Sequence, residues 1–207
     1  MNITARQMEG SSAVAVSKSA IILPEPGMVF ALFPKEGGGA RYFDNPAMSV
    51  RAFHFPEAKL RLIFESQRVR LEDTGNRQPA ESQLGETLCA TIKTLFPQTR
   101  NNFNRHGFNY DINFRYDNVI PQNNIIGTFL PPKLQGAVTH FGWQFTIGKN
   151  KGRRRETYFC KVVSPIEMQV LANIEIDEEL GEEKTAGERF RKCYTEAADT
   201  IAAITFD

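Results

Sequence analysis

Apolar and polar positions alternate most regularly between Phe108 and Asp117. There Phe108, Tyr110, Ile112, Phe114 and Tyr116 interleave with Asn109, Asp111, Asn113, Arg115 and Asp117. Successive side chains of a strand point to opposite faces, so the segment predicts a strand with one aromatic and one polar face. Phe141, Trp143, Phe145 and Ile147 repeat the pattern, a turn follows over 148–152, and a strand over 153–163 returns. After Ser164-Pro165, Met168, Val170, Ala172, Ile174 and Ile176 mark one face of a further strand. Upstream, 13–23, 28–33 and 48–55 read as strands, the second closed by Pro34. Within 59–73, Leu60, Leu62 and Phe64 hold even positions while Val69 and Leu71 hold odd ones. That change of parity places a bulge or bend near Ser66-Gln67.

Two segments switch to the helical period. Leu84, Leu88, Ile92 and Leu95 share one face of a helix over about 81–96, and Pro97 stops it. Phe190, Cys193, Tyr194, Ala197 and Ile201 form a stripe along a helix over 185–204. Thr185 and Glu188 have the spacing of a capping box at its start. Residues 1–11 read as a flexible tail. The Pro-, Asn- and Gly-rich stretch 118–138 reads as a loop holding a short strand over 125–130.

Hairpin-linked strands without a regular strand-helix-strand alternation predict an α+β fold. The expected architecture is a mostly antiparallel sheet with both helices packed on its aromatic face. Strands followed by a helix occur twice, which fits one domain over 12–207 made of two similar halves, about 12–100 and 101–207. A helix-grip fold, with a curved sheet around the C-terminal helix, is the alternative.

Composition sharpens this picture. Of 207 residues, 41% are hydrophobic and 24% charged, which excludes a disordered chain. The 16 Phe against a single Trp agree with a sheet-rich fold. Cys89, Cys160 and Cys193 are odd in number and lack zinc spacing, which points to a reducing, cytoplasmic setting. No apolar run reaches the roughly 18 residues of a membrane-spanning helix, so no membrane partner is expected. The Gly37-Gly38-Gly39 run lacks the Lys-Ser/Thr of a phosphate loop, and neither a nucleophile elbow nor an H-E-x-x-H motif occurs. Neither a metal nor a cofactor is therefore expected.

The net charge of +1 hides two opposite clusters. Lys149, Lys151, Arg153, Arg154 and Arg155 crowd the tip of the hairpin near 150, while Glu175, Asp177, Glu178, Glu179, Glu182 and Glu183 precede the last helix. Charges of opposite sign on one chain suit pairing between copies, so a homo-oligomer or a protein partner fits the sequence.

Three functional readings follow. The leading one is a non-enzymatic binding or interaction module with an unknown partner. A second is nucleic-acid binding through the basic hairpin 149–155, with Tyr158 and Trp143 nearby for stacking. Against it, exposed hairpins carry Lys and Arg simply to protect edge strands. A third is a small-molecule site or enzyme on the polar strand face of Asn109, Asp111 and Asn113, with His106 as the proton-transfer group. Its plain counterpart is a solvated outer face. His54 and His140 read as structural histidines.

Overall fold

The computed structural model describes residues 1–204 except 130, 132 and 134–140, and no side chains at 36–38, 123, 128 and 129. His140 and part of the 118–138 loop therefore lie outside the described residues. Nine strands form one antiparallel sheet: β1 (Ile3–Ser17), β2 (Arg41–Asn45), β3 (Val50–Phe55), β4 (Leu60–Glu65), β5 (Arg68–Asp73), β6 (Phe103–Tyr116), β7 (Gly142–Lys149), β8 (Arg154–Ser164) and β9 (Glu167–Ile176). The helices are α1 (Pro26–Ala31), α2 (Leu84–Leu95), α3 (Gln122–Phe129) and α4 (Glu183–Ala202). The strand order is β2-β3-β4-β5-β1-β6-β9-β8-β7.

The α+β architecture expected from the pattern is present, with α2 and α4 on the aromatic face. Phe108, Tyr110, Ile112 and Phe114 are wholly buried, as are Met168, Val170, Ala172 and Ile174 on the neighbouring β9. The Tyr110 hydroxyl donates to the Phe190 carbonyl at 2.6 Å, tying β6 to α4. Among the described residues β1 is followed by α1, the strands β2 to β5 and α2, and β6 by α3, the strands β7 to β9 and α4. From the centre outward the order is β1, β5, β4, β3, β2 on one side and β6, β9, β8, β7 on the other. The helices α2 and α4 meet near Gly85 and Gly187. A Cβ on Gly85 would run into the Ala186 carbonyl, and one on Gly187 into the Glu86 carboxylate.

Several local expectations are corrected. Residues 3–11 are not a tail, because β1 begins at Ile3 and pairs with β6 from Ile3↔Tyr116 to Ser17↔Phe103. The bulges that interrupt this pairing erase the alternation by which the sequence would have announced a strand. The 59–73 segment is a tight hairpin, with Glu65 opposite Arg68, so each strand keeps its own parity. Residues 28–31 of the 28–33 run belong to α1, where Pro26 occupies the first turn and Val29 is buried, and Leu32 caps it. A short apolar run fits either period, and the proline decides for a helix start. Likewise, of the expected strand 125–130, residues 125–129 fall in α3, which follows Pro121 and buries Ile126, while 130 lies outside the described residues. Finally, α4 starts at Glu183, so Thr185 lies inside its first turn, and its N-cap residue Glu182 makes no side-chain capping bond. Glu182 instead bonds Lys93 of α2 and Arg100.

Candidate nucleic-acid interface

The sheet face away from α2 and α4 carries the outward-pointing residues of every strand. At one end of this face a concavity of about 550 Å³ opens. Its guanidinium groups come from three separate places: Arg68 and Arg70 on β5, Arg105 on β6, and Arg153 and Arg155 at the β7–β8 hairpin. The register explains the gathering. Val16 pairs with Arg105 on one side and Arg68 on the other, while Val14 stands between Gly107 and Arg70. Gly107 pairs onward with Glu175, which pairs with Arg155. Gly107 adds no side chain to the floor, and a Cβ there would lie 2.7 Å from the Ile174 carbonyl oxygen. Only glycine permits this approach of β6 to β9.

Some of these cations are already answered. Arg155 bonds Glu175, and Arg70 is shared between Glu65 at 3.7 Å and Glu72 at 3.3 Å. Among the described residues Arg68, Arg105 and Arg153 have no carboxylate within ion-pair distance. Arg153 is held by its backbone, whose carbonyl accepts from the Asp177 amide at 2.7 Å. The amides of Asn109 and Asn173 lie on the same wall.

The structure divides the basic hairpin between the two faces. Lys149 and Arg154 turn to the helix side and meet Glu156, at 2.9 and 2.7 Å. Arg154 also reaches Glu196 of α4 at 2.6 Å. Burial pushes the Glu156 carboxyl up, but the Tyr158 hydroxyl, Lys149 and Arg154 outweigh it and hold it below its ordinary value. Arg153 and Arg155 turn to the open face, and Lys151 is exposed at the tip. Five charges adjacent in sequence are therefore not one patch, since strand alternation sends Arg154 inward between two outward neighbours.

The polar row is also divided. Asn109 donates to Ser12 Oγ at 2.9 Å, and Gln169 Nε2 donates to both Asp111 oxygens at 3.0 and 3.1 Å. Asn113 continues the row between Gln7 of β1 and Gln169 of β9. His106 borders the concavity, but its side chain has the parity of the buried face of β6. Its ring is only 2% exposed, packs edge-on against Phe108, and bonds toward α4. Nδ1 donates to the Glu178 carbonyl at 2.7 Å, while Nε2 faces the Arg189 guanidinium at 3.2 Å. Burial, assisted by Arg189, lowers its pKa to about 4. The ring of the proposed proton-transfer group thus projects from the opposite side of β6 to Asn109, Asp111 and Asn113.

The acidic approach to α4 is spent largely within the chain. Glu175 meets Arg155, Glu178 lies 3.7 Å from Arg189, and Glu182 and Glu183 receive Lys93. All three cysteines are buried free thiols, and burial raises Cys160 to about 12 and Cys193 to about 11. Among the described residues no group of His, Cys, Asp and Glu is placed to hold a metal ion, and no helix is long and apolar enough to cross a membrane.

Arg68, Arg70 and Arg105 were passed over in the sequence because they are scattered, with no run of charge around them. Their one signal is parity, for each sits opposite the buried face of its strand. Compared with known proteins, the chain matches no protein-family model and no curated protein.

Proposed function

We propose that this protein is a non-enzymatic binding module whose ligand is a nucleic-acid strand, held by its phosphates over the arginine-lined concavity. The observation that carries the reading is the convergence of five arginines from three chain segments on one hollow, three of them without an ion-pair partner among the described residues. Arginine stays charged at any physiological pH and its planar fork matches phosphate oxygens, so the cluster suits holding an anion. His106 borders the hollow, but its ring is held between the Glu178 carbonyl and Arg189 and is neutral, which supports binding over proton-transfer chemistry.

The test is fluorescence anisotropy with labelled 20-nucleotide single-stranded and duplex probes at low and moderate salt. Binding that weakens with salt, and by tenfold or more when Arg68, Arg105 and Arg153 are replaced together by alanine, supports the reading. No binding of either probe at low salt, or unchanged binding by the triple variant, overturns it.

A further inference from the structure

The open face carries more than charge. Phe159 of β8 and Leu171 of β9 stand directly opposite each other and are 43% and 42% exposed. Both belong to the row beside Thr157 and Asn173, and Asn173 lines the concavity. Phe159 and Arg155 project from the same side of β8 four residues apart, a spacing of about 13 Å at roughly 3.3 Å per residue. The exposed ring thus shares its surface with the arginines, Arg155 being nearest along β8 and Arg105 and Arg68 lying two and four strands across the sheet.

We infer that the ligand of this face is single-stranded nucleic acid, with one unpaired base stacked on Phe159 and backed by Leu171 while phosphates several nucleotides along the same strand meet the arginines. The inference rests on the reading of the concavity as a nucleic-acid site and narrows its substrate class. A ring lying on a sheet stacks only with a base whose face is free, and a duplex keeps its base faces inside the helical stack. Phosphate contacts alone would serve either form, so the aromatic platform makes the distinction. Every base offers a π-face, so the contact favours single strands without selecting a sequence.

The experiment compares single-stranded and duplex 20-mers of one sequence, at one salt concentration, with wild type, Phe159→Leu, Phe159→Trp and the arginine triple variant. The expected result is tighter binding of the single strand, roughly a tenfold loss for Phe159→Leu on that probe alone, and retention in Phe159→Trp. Phe159→Leu keeps apolar bulk at an exposed site, so an unchanged melting temperature separates loss of stacking from loss of fold. If both probes bind equally through the arginines and Phe159→Leu binds like wild type, the single-strand inference falls and the phosphate-binding reading stands. If neither probe binds, the underlying reading falls with it.

Discussion

Gly85 of α2 and Gly187 of α4 face each other where the two helices cross, and a Cβ built on Gly85 would lie 3.0 Å from the Gly187 Cα. The same Cβ would run into the Ala186 carbonyl, which is backbone and cannot rotate aside. Helical propensity alone favours alanine over glycine by about 1 kcal/mol. Overpacking a well-filled contact costs about 1–3 kcal/mol, so the crossing decides the sign. Gly85→Ala is expected to destabilise the fold by about 1 kcal/mol or more in urea unfolding. Gly27→Ala in α1, where a Cβ meets nothing within 4 Å, is expected to be neutral or slightly stabilising. Equal and small effects at both positions would show that the helices do not cross this closely.

The two neighbours Arg154 and Arg155 predict opposite outcomes. Glu156 is fully buried between Lys149, Arg154 and the Tyr158 hydroxyl, which donates at 2.7 Å. Removing its carboxylate takes one of two acidic partners from the buried Arg154, which keeps Glu196, and the acceptor of the Tyr158 hydroxyl, so Glu156→Ala is expected to cost about 1–3 kcal/mol. Arg155 is exposed and its ion pair with Glu175 is solvated, so Arg155→Ala is expected to cost under about 0.5 kcal/mol while weakening oligonucleotide binding. Denaturant midpoints for the two variants check the contrast. A stable Glu156→Ala protein would mean that this carboxylate is not enclosed.

Salt dependence tests how many arginines act on the ligand. Each phosphate neutralised on a single strand contributes about −0.7 to the slope of log K against log salt. Replacing Arg68, Arg105 and Arg153 together is expected to flatten that slope by about two. A parallel slope with lower affinity would assign their effect to the shape of the hollow and not to phosphate contact.

Those arginines also mark what could be read from the chain and what could not. The strands 108–116 and 168–176 were legible because each buries one face, and 141–147 because Trp143, Phe145 and Ile147 pack against the same core, so alternation is imposed at every step. Of the central strand β1 only the end from residue 13 was, because its bulged register against β6 breaks the alternation over the earlier part, whose residues are mostly small or polar. In the candidate site, Arg153 and Arg155 were visible as part of a basic run, whereas the inward turn of Arg154 depended on a register that the turn at 150–152 sets. Arg68 and Arg105 lie 37 positions apart in sequence and join only because both pair with Val16. No local signal carries a long-range pairing of that kind.

His106 gives the fold a pH dependence of predictable sign. Its ordinary pKa of 6.5 falls to about 4 in the folded protein, through burial first and the Arg189 charge second, against the opposing bond to the Glu178 carbonyl. Between those values the unfolded chain binds the proton and the folded chain does not, so acid favours unfolding. The contribution is fully present above about pH 6.5, declines as the pH falls through this window, and is lost below about 4. A difference of roughly 2.5 pKa units corresponds to about 3 kcal/mol. Carboxylates as a class take up protons in the lower part of the same range, so the wild-type curve alone does not isolate the histidine. His106→Gln removes the titrating ring and keeps an amide able to donate to the Glu178 carbonyl. Its unfolding free energy should therefore fall less steeply than that of wild type between pH 6.5 and 4, with the two curves parallel above pH 7. Curves that stay parallel across the whole range would place His106 in contact with solvent, against its enclosure between Phe108 and Arg189.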